Sequence, residues 1–332
     1  MTSRTRYFVI ASLLALLIGL GTGLVAYYVG FPTRAFFADD GPDELQFVPP
    51  DATLVAFANV REIMTSDLRE SARRAFPRLP NGQEQFRNET GINIETDIDR
   101  VVACLGRLAE GGEGAGRASL VLARGRFDAV RIESLMRDHG ASVGDHGGVR
   151  LITGAESSAH PGGLSLAFIE PGLVGVGSAS LVRAAIDLKN GGKSVTTNDD
   201  MMKLVRSLDA GNVWAVGRFD ALASQAKLPS GLAAELLPIT WFAASAHVNG
   251  GLRGVLRAET RDEASANNLR DVVRGFLALA KLQAGSRPEL QSLMQSLDLG
   301  GAGTTVALSF SLPVEMFDRL GAAVGQGILK PR

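Results

Sequence analysis

The chain has 332 residues, 45% hydrophobic and 21% charged, and its 34 basic and 35 acidic side chains leave a formal net charge of −1. That balance, with the basic residues scattered rather than bunched, excludes the cationic field that nucleic-acid binding needs. Cys104 is the single cysteine, which excludes an intrachain disulfide and a CxxC redox pair. Set in Val101-Val102-Ala103-Cys104-Leu105, it reads as a small hydrophobe on a buried strand.

Residues 1–6 carry Arg4 and Arg6, and residues 7–29 (YFVIASLLALLIGLGTGLVAYYV) carry no charge. As a helix that block spans the roughly 30 Å hydrocarbon layer of a bilayer. Tyr7, Phe8, Tyr27 and Tyr28 stand where interfacial rings belong. The positive-inside rule puts residues 1–6 in the cytoplasm and everything after residue 29 outside, so the expected membrane contact runs through residues 7–29. The competing reading is a cleaved signal peptide, whose apolar region is usually about 7–15 residues long. Its best cleavage candidate, after Ala38, has Phe36 where a small residue is wanted.

Residues 30–50, rich in proline and acid and without periodicity, read as a semi-rigid linker. Two α+β units are expected beyond it, over residues 51–190 and 191–332. Strands are predicted at residues 53–58, 98–105, 120–123, 149–153, 164–169 and 173–176, with helices after residues 60, 128 and 180. The second half offers strands at residues 213–216, 239–248, 252–260 and 304–312. Its clearest helix runs over residues 262–283 with Leu269, Val272, Val273, Phe276 and Ala280 on one face. Asn249-Gly250-Gly251 signals a hairpin. Residues 53–153 and 212–312 each spell β-α-β-β-α-β, the order of a ferredoxin-like fold with an antiparallel sheet. Gly125-Arg126-Phe127-Asp128-Ala129 recurs as Gly217-Arg218-Phe219-Asp220-Ala221, which points to internal duplication.

Motifs of catalysis are sparse. Gly175-Val176-Gly177-Ser178-Ala179-Ser180 lacks the third glycine of a dinucleotide fingerprint, and neither a P-loop nor a GxSxG elbow occurs. The glycines read instead as a tight turn before a helix. His139, His146, His160 and His247 show no metal-ligand spacing, and the best gathering by loop proximity joins the first three with Asp145. Asp97 and Asp99 alternate at a strand onset, and Asp199-Asp200 suits a helix cap. Trp214 and Trp241 read as core. Arg126 and Arg218, in the two echoed junctions, are the candidates for an anion or partner contact. The favoured reading of these junctions is nonetheless structural, with Phe127 and Phe219 anchoring a helix and Asp128 and Asp220 capping it.

Pro49-Pro50-Asp51-Ala52-Thr53, the strand and helix of residues 54–66, and Arg124-Gly125-Arg126-Phe127-Asp128 together carry a family likeness. The chain resembles the uncharacterised membrane-anchored extracytoplasmic proteins of bacteria. The resemblance implies a bacterial inner membrane, one N-terminal helix and a duplicated α+β body, and carries no catalytic residue. The expected function is a non-enzymatic module, without cofactor or metal, that binds a protein partner or serves as accessory subunit of an envelope assembly. The alternative is a small-molecule or cofactor binder using a cleft between the two units.

Overall fold

The computed structural model describes residues 41–75, 87–88, 91–106, 118–154, 164–208, 211–219, 238–284 and 288–316. The transmembrane helix expected over residues 7–29 and the linker up to residue 40 lie outside the described residues. Among the described residues, no helix is long and apolar enough to cross a membrane.

Chain contacts separate two compact units, one within Tyr28–Met64 and Pro80–Leu208, the other within Thr65–Leu79 and Asp209–Arg332. The first unit opens on a 3-10 helix, Asp43–Phe47, followed by β1 (Leu54–Ala58), α1 (Val60–Met64), α3 (Ile94–Asp97), β2 (Ile98–Leu105) and β3 (Ser119–Gly125). Then come α4 (Ala129–Asp138), β4 (Ser142–His146), β5 (Val149–Thr153), β6 (Leu164–Glu170), β7 (Leu173–Ser178), α5 (Ala179–Lys189), a 3-10 turn at Val195–Thr197 and α6 (Asp199–Ser207). The helix α2 (Asp67–Ala75) falls within the second unit, with β8 (Val213–Arg218), β9 (Ile239–His247), β10 (Gly251–Thr260), α7 (Glu263–Ala284), α8 (Pro288–Gln295), β11 (Leu297–Gly300) and β12 (Thr305–Pro313).

Neither unit is ferredoxin-like. In the first, the strand order is β1-β2-β3-β7-β6-β5-β4, and in the second it is β11-β12-β10-β9-β8. Among the described residues, the strand pairings within each unit are antiparallel. A split βαβ fold would run the first two strands parallel with a third between them. Here β1 and β2 are direct antiparallel neighbours, Leu54 opposite Leu105 and Ala58 opposite Val101. The intervening helical segment therefore returns the chain to the adjacent position instead of crossing over. Among the described residues, seven strands against five, in different orders, also speak against the expected duplication.

Local chemistry explains the elements. All five residues of β1 and the last five of β2 are buried, the continuous apolar run of a strand covered on both faces. On α5, Leu181, Val182, Ala185 and Ile186 are buried at helical spacing. Asp128 caps α4, accepting from Arg131 N–H at 3.0 Å, and Gly140, at φ +85°, ends that helix. Asn198, and not Asp199 or Asp200, caps α6 through Met201 N–H at 3.2 Å, while the two acids occupy its first turn. In the second unit Ala266 and Leu269 of α7 pack with Ile239 and Val306, and Phe219 lies against this cluster. Of the expected face of α7, Leu269 is buried in this cluster and Val273 packs against it, while Leu277, outside that expectation, is buried as well.

The end of the presumed linker is part of the body. Leu45, Phe47 and Val48 are buried, and the Val48 carbonyl accepts from Val195 N–H at 2.8 Å. Asn198 Nδ2 donates to the Pro50 carbonyl at 3.2 Å. This strap, residues 43–48, packs against α5 and the 3-10 turn at Val195–Thr197 and adds no strand to the sheet.

Candidate functional site

Arg100 of β2 and Arg124 of β3 are cross-strand partners, so their side chains leave the same face side by side. Between them comes Glu44 of the strap, fully buried. Its Oε1 accepts from Arg100 Nε at 2.9 Å and from Arg124 Nε at 2.8 Å. Arg124 Nη2 also donates to Glu170 Oε1 at 2.7 Å, and Asp43 Oδ2 lies 3.7 Å from Arg100 Nη2. Burial works against the charge on Arg124, but its hydrogen bonds to Glu44 and Glu170 outweigh that, so its pKa is held above the usual arginine value.

The carboxylate is used unevenly. Both guanidinium Nε groups reach Oε1, while Oε2 is buried with no hydrogen-bond partner. A bidentate pairing would use both oxygens. A buried acceptor left unmade costs about 1–3 kcal/mol. The cluster thus binds the strap through charge but leaves part of its hydrogen-bonding capacity unspent.

Of the residues singled out from the sequence, Arg126 and Arg218 are both exposed and belong to different units. Arg126 Nη2 donates to the Thr96 carbonyl at 2.6 Å, and its amide donates to the Asp97 carbonyl at 2.7 Å. Arg218 ends β8 opposite Trp241. His139 Nδ1 lies 2.7 Å from the Leu135 carbonyl, and His146 Nε2 lies 2.8 Å from Asp187 Oδ1. His160 and Asp220 lie outside the described residues. Among the described residues, no group of three or more His, Cys, Asp or Glu side chains is placed to hold a metal. The Gly175–Ser180 stretch is explained by packing: a Cβ at Gly175 would stand 2.9 Å from Ile169 Cδ1, and one at Gly177 would collide with the Ser119 carbonyl. Trp214 is buried, as expected, and Trp241 is half-buried.

Sequence reasoning passed over Glu44, Arg100, Arg124 and Glu170. The available signal was a charged residue inside each of two apolar strands, since a buried guanidinium needs a counter-charge. Glu44 gave no such signal, because acids are common in linkers.

Cys104 is buried, and that burial, with Asp51 nearby, pushes its thiol up to about 12 against a modest lowering by the Leu120 amide. The thiolate is the nucleophile, so this thiol is inert in the folded protein. Alkylation of Cys104 at pH 8 should proceed only at the rate of unfolding. Modification within minutes at native conditions would contradict the burial. The folded thiol stays protonated above the ordinary value of 9.0, so its contribution to stability is complete below about 9 and is lost as pH rises towards about 12.

Comparison with protein-family models, with curated proteins and with solved structures finds no match to this chain. The site must therefore be read from its own chemistry.

Proposed function

We propose that the protein is a non-enzymatic, membrane-tethered module on the extracytoplasmic side that presents its α+β body to a protein partner, as an accessory subunit of an envelope assembly. The observation that carries this reading is the strap. The chain that would leave an anchor at residues 7–29 is fastened to the body almost at once, by the buried Glu44 and by Leu45, Phe47 and Val48. A tether that only prevented diffusion would need no such fastening, whereas one that holds a binding surface at fixed height until a partner engages it would. Among the described residues of the first unit, several polar or reactive side chains have structural partners: Arg100 and Arg124 hold Glu44, His139 caps a helix, and Cys104 is core. Resemblance to bacterial membrane-anchored extracytoplasmic proteins supports the same placement.

Two measurements test it. Extraction of the full chain in mild detergent should recover a second protein in stoichiometric amount; recovery of this chain alone, across several detergents, would count against the accessory-subunit reading. A C-terminal reporter that works only in the cytoplasm should be silent, and its activity would overturn the topology.

A further inference from the structure

We propose that Arg100 and Arg124 form a carboxylate-binding clamp that Glu44 occupies in cis as a displaceable latch, and that an acidic-apolar segment of the partner takes the strap's place. This deepens the partner-binding reading by naming the partner's recognised chemistry, and it depends on that reading only for the partner's existence.

The clamp's two backbone positions and the orientation of Arg124 are set without the strap, whereas the ion pairs of Arg100, to Glu44 and Asp43, are both to it. Arg100 and Arg124 are set side by side by the β2–β3 register, and Arg124 is oriented by Glu170. The strap itself is a 3-10 turn whose amide bonds are internal, Leu45 N–H to the Pro42 carbonyl at 3.0 Å and Val48 N–H to the Leu45 carbonyl at 3.1 Å. Lifting it breaks no bond between strands. Its hold comes from the Glu44 carboxylate, the Asp43–Arg100 pair, three apolar side chains and the Val195–Val48 contact.

The fit is also incomplete. Glu44 Oε2 is buried, unpartnered and adjacent to the two cations that share Oε1. A carboxylate arriving at a better angle would engage one guanidinium with each oxygen and so outcompete the cis ligand. The strap defines the ligand: an acid followed by apolar residues at the next, third and fourth positions, as in Glu44-Leu45-Gln46-Phe47-Val48. Such a segment, tethered in cis, masks the site until a partner supplies one in trans.

The test uses the full chain in detergent micelles and a fluorescent synthetic peptide of residues 41–48. The Glu44→Ala variant should bind the peptide at least tenfold more tightly than the parent, because its cis carboxylate is gone. A peptide with glutamine in place of the glutamate, or an Arg124→Gln change added to the variant, should abolish the gain. Equal binding by parent and variant, or indifference to the peptide's glutamate, overturns the clamp. Should Glu44→Ala fail to fold, hydrogen exchange on the parent decides: the Leu45 and Val48 amides should exchange at least tenfold faster than those of Val102 and Leu122. Exchange of all four at one common rate would mean the strap opens only with global unfolding, and the latch would be refuted. Peptide binding by the variant in a protein that copurifies with nothing would leave the clamp standing and remove the accessory-subunit reading.

Discussion

Replacing Glu44 with alanine should destabilise the first unit by about 3 kcal/mol, the low end of the range for removing one partner of a buried ion pair. The low end applies because the Arg100 and Arg124 side chains keep 24% and 22% of their surface in water, and Arg124 retains Glu170. Glu44→Gln keeps an acceptor in place and should cost about 1–2 kcal/mol, the difference between a charged and a neutral hydrogen bond. Changing Glu44, Arg100 and Arg124 together to Leu, Met and Met should bring stability back close to that of the parent, since packed apolar groups replace a desolvated triad without its electrostatic cost. Urea unfolding of the parent and these variants measures the series. If Glu44→Ala falls within about 0.5 kcal/mol of the parent, the cluster behaves as an exposed pair and the strap is held by Leu45, Phe47 and Val48 alone.

The sequence was legible wherever the signal was local. The hairpin at Asn249-Gly250-Gly251 joins β9 to β10 with His247 opposite Arg253, and the turn at Glu170-Pro171-Gly172 joins β6 to β7, as the glycines require. Asp128 caps its helix because the cap needs only three residues of context. Topology was not legible, because strand–helix–strand order is the same whether the second strand crosses over or returns beside the first. That choice is made by long-range pairing, such as Val55 with Cys104, which no short window contains. The Arg100–Glu44–Arg124 cluster escapes a local reading for the same reason. Arg124 and Arg126 stand two residues apart in Arg124-Gly125-Arg126-Phe127-Asp128, and only Arg126 recurs in the echoed junction. What distinguishes the two is a partner far away in sequence: Glu44 for Arg124, and the Thr96 carbonyl for Arg126.

Gly125→Ala should be the most damaging single change in that junction, costing about 3 kcal/mol, the upper end for overpacking a tight site. A Cβ at Gly125 would overlap the Asp97 carbonyl and press on Ile98 Cα. Neither is the free end of a side chain. The Asp97 carbonyl is held by Arg126 N–H at 2.7 Å, and Gly125 N–H itself donates to the Gly172 carbonyl at 2.8 Å, so the backbone is pinned on both sides. Relief would have to come from separating β3 from β2, which would also spread Arg100 from Arg124 and loosen the strap. Asp128→Ala should cost about 1 kcal/mol as a lost cap, and Arg126→Ala about 0.5 kcal/mol as an exposed change. Gly144→Ala is the control, since a Cβ there meets nothing within 4 Å, and it should leave stability within about 0.5 kcal/mol of the parent. Thermal melting of the four variants orders them directly. If Arg126→Ala proves worse than Gly125→Ala, the guanidinium matters more to this junction than the close approach of two backbones, and the steric account given for its glycine is wrong.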